Sequence, residues 1–133
     1  MRRDHPLAKR KKLSWDDLKG YPLAGVSRAS GNRMLLDSAL GKLGLNLSWM
    51  YETNHLSTSL GLVEAGLGAS VLPRMATPLS DHPIIVTKVI GDPVVTRMIG
   101  IVERKHGRLS PAAQRFRDML AASWVGPGQD AKG

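Results

Sequence analysis

Apolar positions along the chain fall into two helical stripes separated by short strand-like runs. From Asn32 onward, Leu36, Leu40 and Leu43, with Ala39 beside them, recur at the spacing of one buried helix face, while Arg33, Asp37 and Lys42 take the other side. Ser30 supplies an N-cap for this helix and Gly44 a stop. A second stripe follows at Leu56, Leu60, Val63 and Leu67, with Asn54 as its cap and Gly66 or Gly68 as its end. Around these helices lie a brief apolar run over residues 21–27, an alternating one at Leu45, Leu47, Trp49 and Tyr51, and a short one over residues 69–72 closed by Pro73. The order is β-α-β-α-β, which predicts parallel strands joined by right-handed crossovers.

The flanking regions follow other patterns. Ser14 stands three residues before Asp17 and Gly20 follows, which predicts one short helical turn. Residues 84–90 and 94–103 are β-branched runs split by Gly91-Asp92-Pro93, a breaker that either turns a hairpin or ends one strand before the next. Ser110-Pro111 then offers a cap and a first-turn proline for a terminal helix whose apolar face is Ala113, Phe116, Leu120 and Trp124, stopped by Gly126-Pro127-Gly128. The fold class expected is α/β.

Composition narrows the function classes. The chain has 133 residues and no Cys, so a disulfide scaffold and a Cys-ligated zinc or iron–sulfur site are excluded. No apolar stretch is long enough to span a bilayer, and no apolar segment follows the basic start, so a soluble cytoplasmic protein is expected. The net charge of +8 suggests a polyanion partner until it is located. Six of the 19 cations (Arg2, Arg3, Lys9, Arg10, Lys11, Lys12) sit in the first twelve residues, leaving about +3 for the rest. Single-strand binders also need aromatic platforms, and Trp15, Trp49, Phe116 and Trp124 are expected to pack rather than stack on bases. A basic nucleic-acid-binding protein is the weaker alternative.

In an open α/β sheet, ligands sit beyond the carboxyl ends of the strands, where helix N-termini present unpaired N–H groups. Two corners here have that character. One comprises Ser27, Arg28, Ser30, Gly31, Asn32 and Arg33, with two hydroxyls and two guanidinium groups; the other Thr53, Asn54, His55 and Thr58. If their strands are neighbours, both open on one edge and can hold a small anion, most simply a carboxylate. The competing reading is that Ser30 and Asn54 only cap helices. Other motifs fail: Gly66-Leu67-Gly68-Ala69-Ser70-Val71 lacks the third glycine of a dinucleotide fingerprint and precedes a strand instead of following one, and no Ser is flanked as G-x-S-x-G. The four histidines lie more than twenty residues apart. Neither metal, cofactor nor nucleophilic catalysis is expected, and the chain is not expected to be an enzyme.

Five short motifs in order, Asp4-His5-Pro6-Leu7-Ala8, Trp15-Asp16-Asp17-Leu18, Tyr21-Pro22-Leu23, Leu62-Val63-Glu64-Ala65-Gly66-Leu67-Gly68 with Val71-Leu72-Pro73, and Leu109-Ser110-Pro111-Ala112-Ala113, resemble the effector-binding region of LysR-type transcriptional regulators. The resemblance implies a fold like type II periplasmic binding proteins, two α/β lobes with a small inducer, often an organic acid, between them. It implies a second lobe over residues 21–73, a return crossover over 74–83 and the C-terminal part of the first lobe over 84–125. Residues 1–20 form a basic segment and helical turn before it, and 126–133 a tail. The two corners match regions that face the inducer cleft. The family's winged helix-turn-helix, linker helix and first-lobe opening strands have no match, so an N-terminally truncated effector-binding portion is expected, with residues 1–13 unpaired and DNA contact only through an absent domain. The partners implied are a small effector and a second subunit, a homo-oligomer or a full-length regulator. A free-standing ligand-binding or dominant-negative module is the alternative. Residues 21–72 are expected to be better protected than those after Ile84.

Overall fold

The computed structural model describes residues 1–123; the expectations at Trp124, Gly126-Pro127-Gly128 and the tail lie outside the described residues. The chain divides into two compact units, Met1–Arg97 and Met98–Gly133.

The first unit is built on three parallel strands, β1 (Leu23–Val26), β2 (Trp49–Thr53) and β3 (Ala69–Ser70), in the order β2-β1-β3. All four residues of β1 are buried, as an unbroken apolar run in a central parallel strand requires. Its register runs from Leu23 opposite Trp49 to Val26 opposite Thr53, with a bulge between Leu23 and Ala24. Helix α1 (Gly31–Gly41) connects β1 to β2, and α2 (Leu56–Glu64) connects β2 to β3. This is the β-α-β-α-β order expected from the stripes.

Both helices end in the same way. The Leu45 N–H reaches Leu40 O at 3.0 Å and the Gly44 N–H reaches Gly41 O at 3.0 Å, with Gly44 at φ +68°. The Leu67 N–H likewise reaches Leu62 O and the Gly66 N–H reaches Val63 O, both at 3.0 Å, with Gly66 at φ +82°. Each is a Schellman turn that satisfies the last carbonyls of its helix.

The helix starts need one correction. Ser30 occupies the α1 cap position and its carbonyl accepts the first helical bond from Met34, although its hydroxyl makes no capping bond. For α2 the cap position is His55, not Asn54, because His55 O accepts the first helical bond, from the Ser59 N–H at 3.2 Å. The stripes need another. Leu36 and Leu40 are buried, but Leu43 is 53% exposed because α1 has already ended. Arg33, expected on the outer face, is buried.

Residues 1–18 are part of the core, contrary to the expectation that residues 1–13 are unpaired. Arg2 bridges Ile85 antiparallel and Leu13 bridges Ile90. The Arg3 N–H donates to Ile84 O and the Val86 N–H to Met1 O, each at 2.8 Å. Short 3₁₀ turns at Pro6–Lys9 and Asp16–Leu18 place Leu7, Leu13, Trp15 and Leu18 against Leu23, Leu36, Leu40 and Ala69. In the second turn the expected capping pair forms: the Ser14 N–H and hydroxyl both donate to Asp17 Oδ2, at 2.9 and 3.0 Å. The Trp15 Nε1–H donates to Pro93 O at 2.9 Å. Burial holds the His5 imidazole below its ordinary range, and its Nδ1 accepts the Leu7 N–H.

The runs 84–90 and 94–103 are not strands; in them only Ile85 and Ile90 form bridges, both with the N-terminal segment. β-Branched residues favour a pleated surface but do not supply a ladder partner, and residues 94–103 have none among the described residues. In the second unit, α3 (Pro111–Ser123) starts as expected, with the Ala113 N–H donating to Ser110 Oγ at 3.2 Å. Arg117 pairs there with Glu103 at 3.2 Å and Asp118 at 2.8 Å. Phe116 is 63% exposed instead of packed.

Candidate functional site

Parallel pairing of β1 with β2 brings the carboxyl ends of both strands to one edge. The contact at that edge is direct: the Ser27 N–H donates to Thr53 O at 2.9 Å. The two corners named from the sequence are therefore neighbours.

Their side chains do different things. Ser27 O accepts the Ser30 N–H at 2.8 Å, and its hydroxyl accepts the Ala29 N–H at 3.4 Å, which tightens the loop before α1. Gly31 opens α1 and Asn32 follows in its first turn. Thr53 Oγ1 lies 2.8 Å from Ser59 Oγ, 3.0 Å from His55 O and 3.3 Å from Gly25 O. A hydroxyl has one proton, so Thr53 donates to one carbonyl at a time, His55 O at the start of α2 being nearer than Gly25 O on β1, and accepts from the Ser59 hydroxyl. Asn54, His55 and Thr58 are exposed, and among the described residues no hydrogen bond joins their side chains to the first corner.

Charged residues complete the edge. Arg28 is exposed, with its Nε 3.5 Å from Glu52 Oε1. Arg33, 4% exposed, places its Nε 2.8 Å from Asp37 Oδ2 and an Nη 3.7 Å from the same Glu52 oxygen. Its guanidinium lies 4.3 Å from the centroid of the Trp49 ring, a cation–π stack. The indole in turn packs flush on β1, where a Cβ at Gly25 would lie 2.4 Å from Trp49 Cε3. Beside this cluster is a depression of about 250 Å³ with Arg28, Arg33 and Asp37 as its charged lining and Leu40, Leu45 and Leu47 as its apolar lining. In the first turn of α1, Arg97 Nη1 donates to Asn32 Oδ1 at 2.6 Å.

Sequence reasoning placed Arg33 in the first corner but missed its burial, and it missed Glu52, Ser59 and Arg97 at this edge. Ser59 had a signal, since it lies three residues after Leu56 and four before Val63, and it is fully buried. Arg97 had none, being 65 positions from Asn32. Arg33 looked like an outer-face charge because periodicity alone does not show an aromatic ring waiting on the neighbouring strand. Arg33→Met is expected to lower stability by about 1–3 kcal/mol, through loss of the stack and of charge-assisted bonds. Urea unfolding checks this, and an unchanged midpoint would refute it.

Among the described residues no group of three or more His, Asp or Glu is placed to hold a metal ion. No helix among them is long and apolar enough to cross a membrane.

Comparison with known proteins fits this geometry. Residues 1–125 match the family described as LysR substrate binding domain. The HTH-type transcriptional regulator YbhD of Escherichia coli K12 is 49% identical over 124 residues, covering 93% of this chain and 39% of the relative. A probable nitrogen assimilation transcriptional activator of Synechococcus elongatus is 30% identical over 117 residues, covering 87% of this chain and 38% of the relative. The chain thus spans about two-fifths of the length of these relatives. Among solved structures, HinK, a LysR family regulator from Pseudomonas aeruginosa, aligns with a TM-score of 0.67 at 21% identity, covering 89% of this chain and 41% of that one. The effector-binding domain of QuiR in complex with shikimate aligns at 0.60 and 24% identity, covering 87% of this chain and 55% of that one. The α/β fold with parallel strands and the match across nearly the whole chain lead to one assignment: the chain belongs to the LysR family of transcriptional regulators, within its substrate-binding domain.

Proposed function

We propose that this chain is the inducer-sensing part of a LysR-type regulator and that it holds a small organic acid at the edge formed by the ends of β1 and β2. The observation that supports this reading is the Ser27–Thr53 backbone contact, which sets the two corners side by side. The start of α1 there presents N–H groups of Gly31, Asn32 and Arg33 toward the edge, with Arg28 and Arg97 flanking it. Helix N-termini and guanidinium groups both favour a carboxylate. Residues 21–73 would form one lobe of the sensor and 84–125 part of the other. The site works by binding, with no cofactor and no catalytic step, in a cytoplasmic regulator that pairs with a second subunit. Operator contact belongs to a helix-turn-helix segment of the kind named in its relatives.

Thermal unfolding with shikimate, benzoate and succinate tests the reading. A bound acid raises the midpoint as its concentration passes the Kd, with about 2.7 kcal/mol of stabilisation at a hundredfold excess over it. The expected result is a rise with at least one acid that is lost in Arg28→Gln. No rise and no calorimetric heat with any of the three would sink it.

A further inference from the structure

Glu52 stands between two arginines of unequal freedom. Its Oε1 lies 3.7 Å from the guanidinium of Arg33 and 3.5 Å from Nε of Arg28. Arg33 is fixed: it is buried, stacked on Trp49, held by Asp37, and near Val26 O at 3.5 Å. Arg28 is not fixed, since it is exposed on the loop between β1 and α1 and Glu52 is its ion-pair partner. One carboxylate oxygen is therefore anchored from the core side and lies against the exposed cation of the candidate site. We propose that Glu52 is an internal carboxylate competitor, a positioning residue that occupies Arg28 until an effector carboxylate displaces it.

This inference rests on the organic-acid reading above and adds a gate to it. An exposed ion pair is weak, so an incoming acid can exchange for it at small cost. When Arg28 swings to the effector, Glu52 does not become an isolated charge, because Arg33 remains 3.7 Å away. The arrangement holds the loop cation ready while empty and lowers affinity for weak anions. It also predicts that the site favours carboxylates over their neutral amides through Arg28.

The test compares wild type, Glu52→Gln, and the double variant Arg28→Gln with Glu52→Gln. The probes are the three acids named above, each beside its neutral amide. Removing the competitor is expected to tighten acid binding about two- to fivefold, the span of a released surface ion pair. Amide binding should not change, and the gain should vanish in the double variant. A merely structural role for Glu52 would weaken binding of acids and amides alike. Should wild type bind an acid and Glu52→Gln bind it equally or less tightly, the competitor role is overturned while the organic-acid reading stands. Should neither protein bind any of the three acids, both fall. If Glu52→Gln does not fold, the wild-type Arg28 Nε–H resonance decides: saturating acid should shift it, and an unmoved signal in the saturated complex overturns the proposal.

Discussion

Gly68→Ala is expected to be among the most damaging single-methyl additions in the first unit, costing about 3 kcal/mol or more. Gly68 sits at φ +132°, a backbone conformation that side chains rarely adopt, and a Cβ there would lie 2.1 Å from Pro22 O. That oxygen cannot yield, because it accepts the Ala69 N–H at 3.0 Å where β3 joins β1. Relief of the clash must therefore open the β1–β3 pairing, which is only two residue pairs long. Gly20 is the control: its φ is +85° but an added Cβ would meet nothing within 4 Å, so Gly20→Ala should cost about 1 kcal/mol. Denaturant midpoints of the two variants check the contrast, and equal losses would refute the steric account.

The second large effect is expected from Leu7→Ala, at about 2–5 kcal/mol. Leu7 is 1% exposed and packs in the cluster that includes Leu13, Trp15, Leu23 and Leu40. The loss would show that the N-terminal segment is a structural member of the unit and not a basic tail. Leu79→Ala, at a position 81% exposed, should change stability by less than about 0.5 kcal/mol. If both substitutions prove equally mild by chemical unfolding, the segment does not hold the core.

These two positions also mark where the sequence is legible and where it is not. The stripes at Leu36 and Leu40 and at Leu60 and Val63 locate the helices, because a period of 3.6 leaves a local signature. Gly44 and Gly66 end them, because positive φ selects glycine. The edge shared by Ser27 and Thr53 follows from strand order alone. Leu7 and Leu13 give no such signal, since the residues that bury them lie on β1, α1 and β3. The burial of Arg33 was hidden for a related reason. Arg33 is an outward charge by helix period, and becomes an inward one only when Trp49 and Gly25 meet across a strand pair. Residues 94–103 erred in the opposite direction: their composition suits a strand, but a strand exists only in a ladder.

The pairing of Met1 with Val86, 85 positions apart, has a consequence for synthesis. A ribosome adding ~5–20 residues per second takes about 4–17 s to cover that distance. Throughout that interval the backbone of residues 1–3 has no partner, although Leu7 and Leu13 can already meet Leu23, Leu36, Leu40 and Ala69, and the parallel strands also need long loops to close before any contact rewards them. The segment over residues 1–3 precedes its backbone partners at Ile84–Val86 by more than eighty positions and pairs with them only after they are made. A synonymous slowing of the codons between Ser70 and Val86 should lengthen the time it stays unpaired.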